Sequence, residues 1–147
     1  MANYSLPEER FSHALHTSAR IWRALLDKRM RDLGVSQAGW LAVAYIAKAQ
    51  APMSQSELAA LVQVEAATMV STVDKLENAG FVTRVPSETD RRVKLLSLTP
   101  AGQALYDQVK VKADAVRAEI LGQISPVRLR AATEFLEDLQ KIIENSL

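Results

Sequence analysis

Along residues 7–33, apolar positions recur at Phe11, Leu15, Trp22, Leu26 and Leu33, a spacing close to helical. Gly34 is a stop signal for that helix. Ser36 can cap a second helix carrying Trp40, Val43, Ala44 and Ala47, which Ala51-Pro52 breaks. Ser54 is followed three residues later by Glu57, a capping-box pattern, and Leu58, Leu61 and Val62 then face inward. After the short turn "QVE", the segment "AATMVSTVDKLENAG" carries Met69, Val73 and Leu76 as one stripe, with Gly80 placed as a left-handed helix terminator. Two short helices separated by so few residues have the size and order of a helix-turn-helix.

After Gly80 the period changes. "FVTRV" and "RVKLLSL" are strand-like, and "PSETD" between them is turn chemistry, which predicts a β-hairpin over residues 81–98. Thr99-Pro100 pairs an N-cap with a proline suited to the first helical position. A long helix follows to about Gly122, with Leu105, Val109, Val116 and Ile120 on one side. Ser125-Pro126 repeats the start signal, and the last helix carries Leu129, Phe135, Leu136, Leu139, Ile142 and Ile143. The order predicts a mainly α chain with a small β-hairpin wing. A winged helix-turn-helix lobe at residues 35–99 is flanked by helices at 1–34 and 100–147. Such a small core does not need the terminal stripes, so they predict a homodimer built from both chain ends.

Composition narrows the classes. The chain has 147 residues, enough for one domain or two small lobes, and 48% are hydrophobic. No run approaches about 20 uncharged apolar residues, and the N-terminus has neither a basic start nor an apolar run, so the expectation is a cytoplasmic protein with no membrane span. There is no cysteine, which excludes disulfides, thiolate metal sites and thiol redox sensing. The net charge is only +1, so a polyanionic partner would have to be met by local charge.

Enzymatic chemistry finds little support. His13 and His16 are three residues apart, a spacing that can hold a metal, but no carboxylate follows on that face. They read better as interface or pocket-lining residues, with no metal and no cofactor. No nucleophile elbow and no phosphate-cradling glycine loop occurs. The polar positions Thr68, Ser71, Thr72 and Lys75 fall at helical spacing opposite the apolar stripe, and small hydroxyls with a lysine suit a helix in a major groove. Glu65, Asp74 and Glu77 on the same helix must then point away from nucleic acid. In the hairpin, Arg84, Arg91, Arg92 and Lys94 outweigh Glu88 and Asp90. An arginine at the tip can enter a narrow minor groove, and Asp90, two residues before Arg92, can hold its guanidinium in bidentate geometry. The alternative is a winged helix that serves as a protein-interaction module.

"LENAGFV" followed by "SETDRRVKLLSLTPAG" resembles the MarR family of bacterial winged-helix regulators, whose wing carries an aspartate and arginine before a strand ending in Leu-Thr. "RIWRALLDKRM" with "LGVSQAGW", and "RAEILGQIS", are closer still to its SlyA-like branch. The resemblance implies a dimeric repressor or antirepressor of a pseudo-palindromic operator in double-stranded DNA. It puts Arg92 in the minor groove with Asp90 holding it, Arg91 near phosphate, and Thr68, Ser71, Thr72 and Lys75 on the recognition helix. Ser71 departs from the arginine usual in SlyA-like proteins, so a different operator preference is expected. The resemblance also implies a small aromatic carboxylate or phenolic effector. The candidate residues are His13, His16, Arg20, Arg23 and Trp40, where arginine can pair a carboxylate and tryptophan can supply a wall.

Overall fold

The computed structural model describes residues 6–147. Helix α1 (Pro7–Met30) opens with proline at its first turn and Glu8 and Glu9 beside its positive end, and it carries Lys28 and Arg29 in its last turn. A 3-10 turn over Arg31–Leu33 ends at Gly34, whose φ of 73° is the left-handed conformation glycine adopts without a Cβ clash. Helix α2 (Gln37–Lys48) starts at Ser36, whose hydroxyl accepts from the Gly39 N–H. The indole N–H of Trp40 on α2 donates to Asp27 on α1 at 3.2 Å, which ties the two helices.

The helix-turn-helix follows. Strand β1 (Met53–Ser54) leads into α3 (Gln55–Val62), closed at its start by a reciprocal capping box between Ser54 and Glu57. Gln63 turns the chain with a φ of 63°, and α4 (Ala66–Asn78) then runs to Gly80, at φ 81°. Strands β2 (Val82–Pro86) and β3 (Lys94–Leu98) form the predicted hairpin. The two-residue β1 was not anticipated. It pairs antiparallel with β3, Met53 opposite Leu96, so the sheet order is β1-β3-β2 and β2 is an edge.

Helix α5 (Pro100–Leu121) begins under a shared cap: the Thr99 hydroxyl donates to the Gly80 carbonyl and accepts from the Gly102 N–H. Helix α6 (Pro126–Glu144) starts at Ser125, whose hydroxyl accepts from the Arg128 N–H. The chain divides into two compact units, passing from one to the other between Lys112 and Ala113 within α5. In the first unit, Val43 of α2, Leu58 of α3, Met69 and Val73 of α4 and Leu96 of β3 form one core with no solvent exposure. Each such side chain contributes about 1.5–3 kcal/mol on burial. Leu105 of α5 joins that core. In the second unit α6 buries none of its residues and leaves Val127, Phe135, Leu136, Ile142 and Ile143 exposed. Among the described residues, no helix is long and apolar enough to cross a membrane.

At Gly102, α5 lies directly against the Phe81 backbone. A Cβ there would lie 2.0 Å from the Phe81 carbonyl oxygen, which is backbone and cannot rotate away. Gly102→Ala should therefore lower stability by about 1–3 kcal/mol through overpacking. Urea unfolding of the variant against wild type measures it.

Candidate nucleic-acid interface

Helix α4 decides what the helix-turn-helix presents. Met69, Thr72, Val73 and Leu76 are buried, which fixes the rotation of the helix. Thr68, Ser71 and Lys75 are consequently exposed. Thr72 departs from the expectation. It is 7% exposed, and its hydroxyl donates to the Thr68 carbonyl at 2.8 Å. Its spacing from Met69 and Leu76 places it on the core side, where bonding back to the preceding turn satisfies its hydroxyl.

The wing is a short, tightly bonded loop. The Ser87 N–H donates to the Val93 carbonyl at 2.8 Å, and the Val93 N–H to the Asp90 carbonyl at 3.0 Å. Asp90 then accepts from Arg92 three times: backbone N–H to Oδ1 at 3.0 Å, Nε to Oδ1 at 3.1 Å and an Nη to Oδ2 at 3.2 Å. The Arg92 side chain is 91% exposed even so. An exposed pair of this kind adds little to stability. Its effect is geometric, because a fork held on both carboxylate oxygens has one orientation rather than many. Arg91 and Lys94 are exposed on the same wing.

Arg84 also departs from the expectation of a wing contact. Its side chain is only 20% exposed and engages Asp74 at 2.7 Å and Glu77 at 3.3 Å on α4, and Gln55 on α3 at 3.2 Å. Alternation along β2 turns Arg84 to the same face as buried Val82, toward the helices. Asp74 and Glu77, which had to point away from nucleic acid, find their cation here. The signal for this was the surplus of acid on α4, but no spacing rule links residue 84 to residues 55, 74 and 77.

The candidate ligand residues differ in their exposure. His13 and His16 are exposed, and His13 Nε2 lies 3.4 Å from the Thr17 hydroxyl. Arg20 is exposed, Arg23 half-buried, and Trp40 is 4% exposed, a core residue bonded to Asp27. A cleft of about 300 Å³ lies between Ser36 and Gly39 of α2 and Thr72, Lys75 and Leu76 of α4. A second, of about 250 Å³, lies between Ile46 and Pro52 and strand β3. None of the five candidates lines either. Among the described residues, no three His, Cys, Asp or Glu side chains are grouped as a metal site.

The guanidinium and then the backbone N–H of Arg92 hold the Asp90 carboxyl below the usual aspartate range. A carboxyl depressed in the folded state keeps its pairing above the unfolded pKa and loses it as pH falls through the folded value. In an NMR titration, Asp90 should thus titrate lower in wild type than in Arg92→Ala, where only the backbone N–H of residue 92 is left to hold it down.

The MarR family model matches residues 40–94, from Trp40 through the wing. Among solved structures, the chain is 35% identical to transcriptional regulator PA3341, covering 92% of this chain and 98% of that one at a TM-score of 0.84. A MarR family transcriptional regulator from Silicibacter pomeroyi is 29% identical over 97% of this chain and 96% of its own, at a TM-score of 0.77. CouR from Rhodococcus jostii RHA1, solved with p-coumaroyl-CoA bound, shares the fold at 20% identity, 92% and 95% coverage and a TM-score of 0.76. With the core-facing register of α4 and the Asp90–Arg92 wing pair in place, and with a likeness that spans nearly the whole chain, this protein belongs to the MarR family.

Proposed function

We propose that the protein is a homodimeric transcriptional regulator that binds a pseudo-palindromic operator in double-stranded DNA. The observation that carries this reading is the exposed, pre-oriented Arg92 guanidinium on the wing beyond a helix-turn-helix. Thr68, Ser71 and Lys75 enter the major groove, where hydroxyls and an ammonium meet base edges and phosphates. Arg92 enters the minor groove, whose negative potential favours guanidinium, while Arg91 and Lys94 lie along phosphate. Ser71 stands where SlyA-like relatives, the branch to which the motifs at residues 20–40 and 117–125 point, carry an arginine, so the operator preference differs from theirs.

Segments 1–34 and 100–147 supply the dimer contacts, and the unburied apolar residues of α6 support that assignment. Two copies then set their recognition helices about 34 Å apart to reach successive major grooves. Occupancy of the operator represses, or displaces another repressor, in the cytoplasm. A small aromatic carboxylate or phenolic effector lowers affinity by favouring a different helix separation. The bound p-coumaroyl-CoA of CouR and the arginines at positions 20 and 23 support this effector class.

An operator fragment recovered by selection from genomic DNA provides the test. Arg92→Ala should weaken binding by about tenfold or more and lower the slope of log affinity against log salt by about 0.9, one phosphate-equivalent contact. The dimer should remain folded. A variant that binds as tightly as wild type would falsify the groove reading.

A further inference from the structure

Arg84 has no place among the groups that face DNA in the reading above, yet it spans three elements. Its Nε and one Nη bond Gln55 Oε1 at the start of α3, each at 3.2 Å. Its other Nη reaches Asp74 at 2.7 Å and Glu77 at 3.3 Å, while the Nη that bonds Gln55 also donates to the Val70 carbonyl at 3.4 Å. Val70, Asp74 and Glu77 recur at helical spacing, so they form one flank of α4, beside the face that carries Ser71.

The hairpin gains a second tie to the helices from Arg84. β2 is an edge strand whose ladder partner is β3 alone, and β1, on the other side of β3, is two residues long. Ladder bonds fix β2 to β3, and buried Val82 and Leu96 anchor the base of the hairpin in the core beside Met69 and Val73 of α4. The Arg84 fork adds a directional polar tie, because its planar donors meet α3 and α4 together. It also neutralises two acids that would otherwise stand on the recognition helix near phosphate.

We propose that Arg84 is a positioning residue for DNA binding, which locks the wing to the recognition helix so that Arg92 and Lys75 reach the duplex in one fixed geometry. The inference rests on the DNA-binding reading above. A rigid wing avoids the cost of ordering it at each encounter. A direct phosphate contact by Arg84 is disfavoured, since it would strip both carboxylates of their cation.

The test compares folded Arg84→Ala and Arg84→Lys with wild type by amide hydrogen exchange and by titration with the selected operator fragment. Lysine keeps the charge but cannot fork across α3 and α4. In both variants, exchange should quicken across residues 82–94 while α3 stays protected, and affinity should fall by about tenfold or more. Arg92→Ala, added to either, should then cost much less than it costs in wild type, because the wing it acts through is already loose. Losses that multiply independently, or affinity and exchange that match wild type, overturn the proposal. Where Arg84→Ala does not fold, Arg84→Lys carries the same cycle. If Arg92→Ala leaves wild-type binding intact, the groove reading fails instead. The exchange data then judge the lock alone, and unchanged protection in the Arg84 variants still overturns it.

Discussion

Burial of one stripe on α4 is the constraint from which the lobe's surface chemistry follows. A helix turns about 100° per residue, so once Met69, Thr72, Val73 and Leu76 face the core, no other position on the helix can choose its direction. Thr68, Ser71 and Lys75 are driven outward together, and Val70, Asp74 and Glu77 are driven to the flank that faces β2. Val43 and Leu58, both without solvent exposure, supply the opposing surface. The same packing that stabilises the lobe therefore selects which side chains meet a partner and which meet the protein.

Charge is sorted by the same geometry. A net charge of +1 would not by itself draw the chain to a polyanion. The acids of α4 are drawn onto Arg84, and Asp90 is drawn onto Arg92, while Arg91, Arg92 and Lys94 stay in solvent. Asp90 illustrates how an acid can serve a cationic site. It removes one unit of charge at the wing tip, but it converts a mobile arginine into a fixed fork with its outer face available. In the proposed minor-groove role, a fork already oriented spares the cost of ordering the side chain on binding.

Elements whose signals are local were legible in the sequence. The capping box at Ser54, the left-handed glycines at 34 and 80, the Thr99-Pro100 and Ser125-Pro126 starts and the hairpin over residues 82–98 all lie within a few residues of the bonds they form. The Asp90–Arg92 pair belongs with them, since two residues of separation in a turn leave little choice of partner.

What the sequence could not decide is the set of pairings that depends on distant elements meeting. Thr72 sits at the border of an apolar stripe, and a polar residue there reads as outward until the packing of α4 fixes its phase and the Thr68 carbonyl accepts its hydroxyl. Trp40, a candidate ligand wall in the sequence, becomes a core residue once Asp27 is brought beside its indole. Arg84 looks like any other wing cation until β2 is laid against α3 and α4. Periodicity, capping and turn chemistry determined by themselves the helices, the hairpin and the wing-tip pair, because those bonds close over a few residues, whereas β1 needed β3 to be brought beside it. The tertiary structure alone decided which polar groups are consumed inside the lobe, because a charge or hydroxyl has many possible partners along a chain and acquires one only when packing brings it within bonding distance.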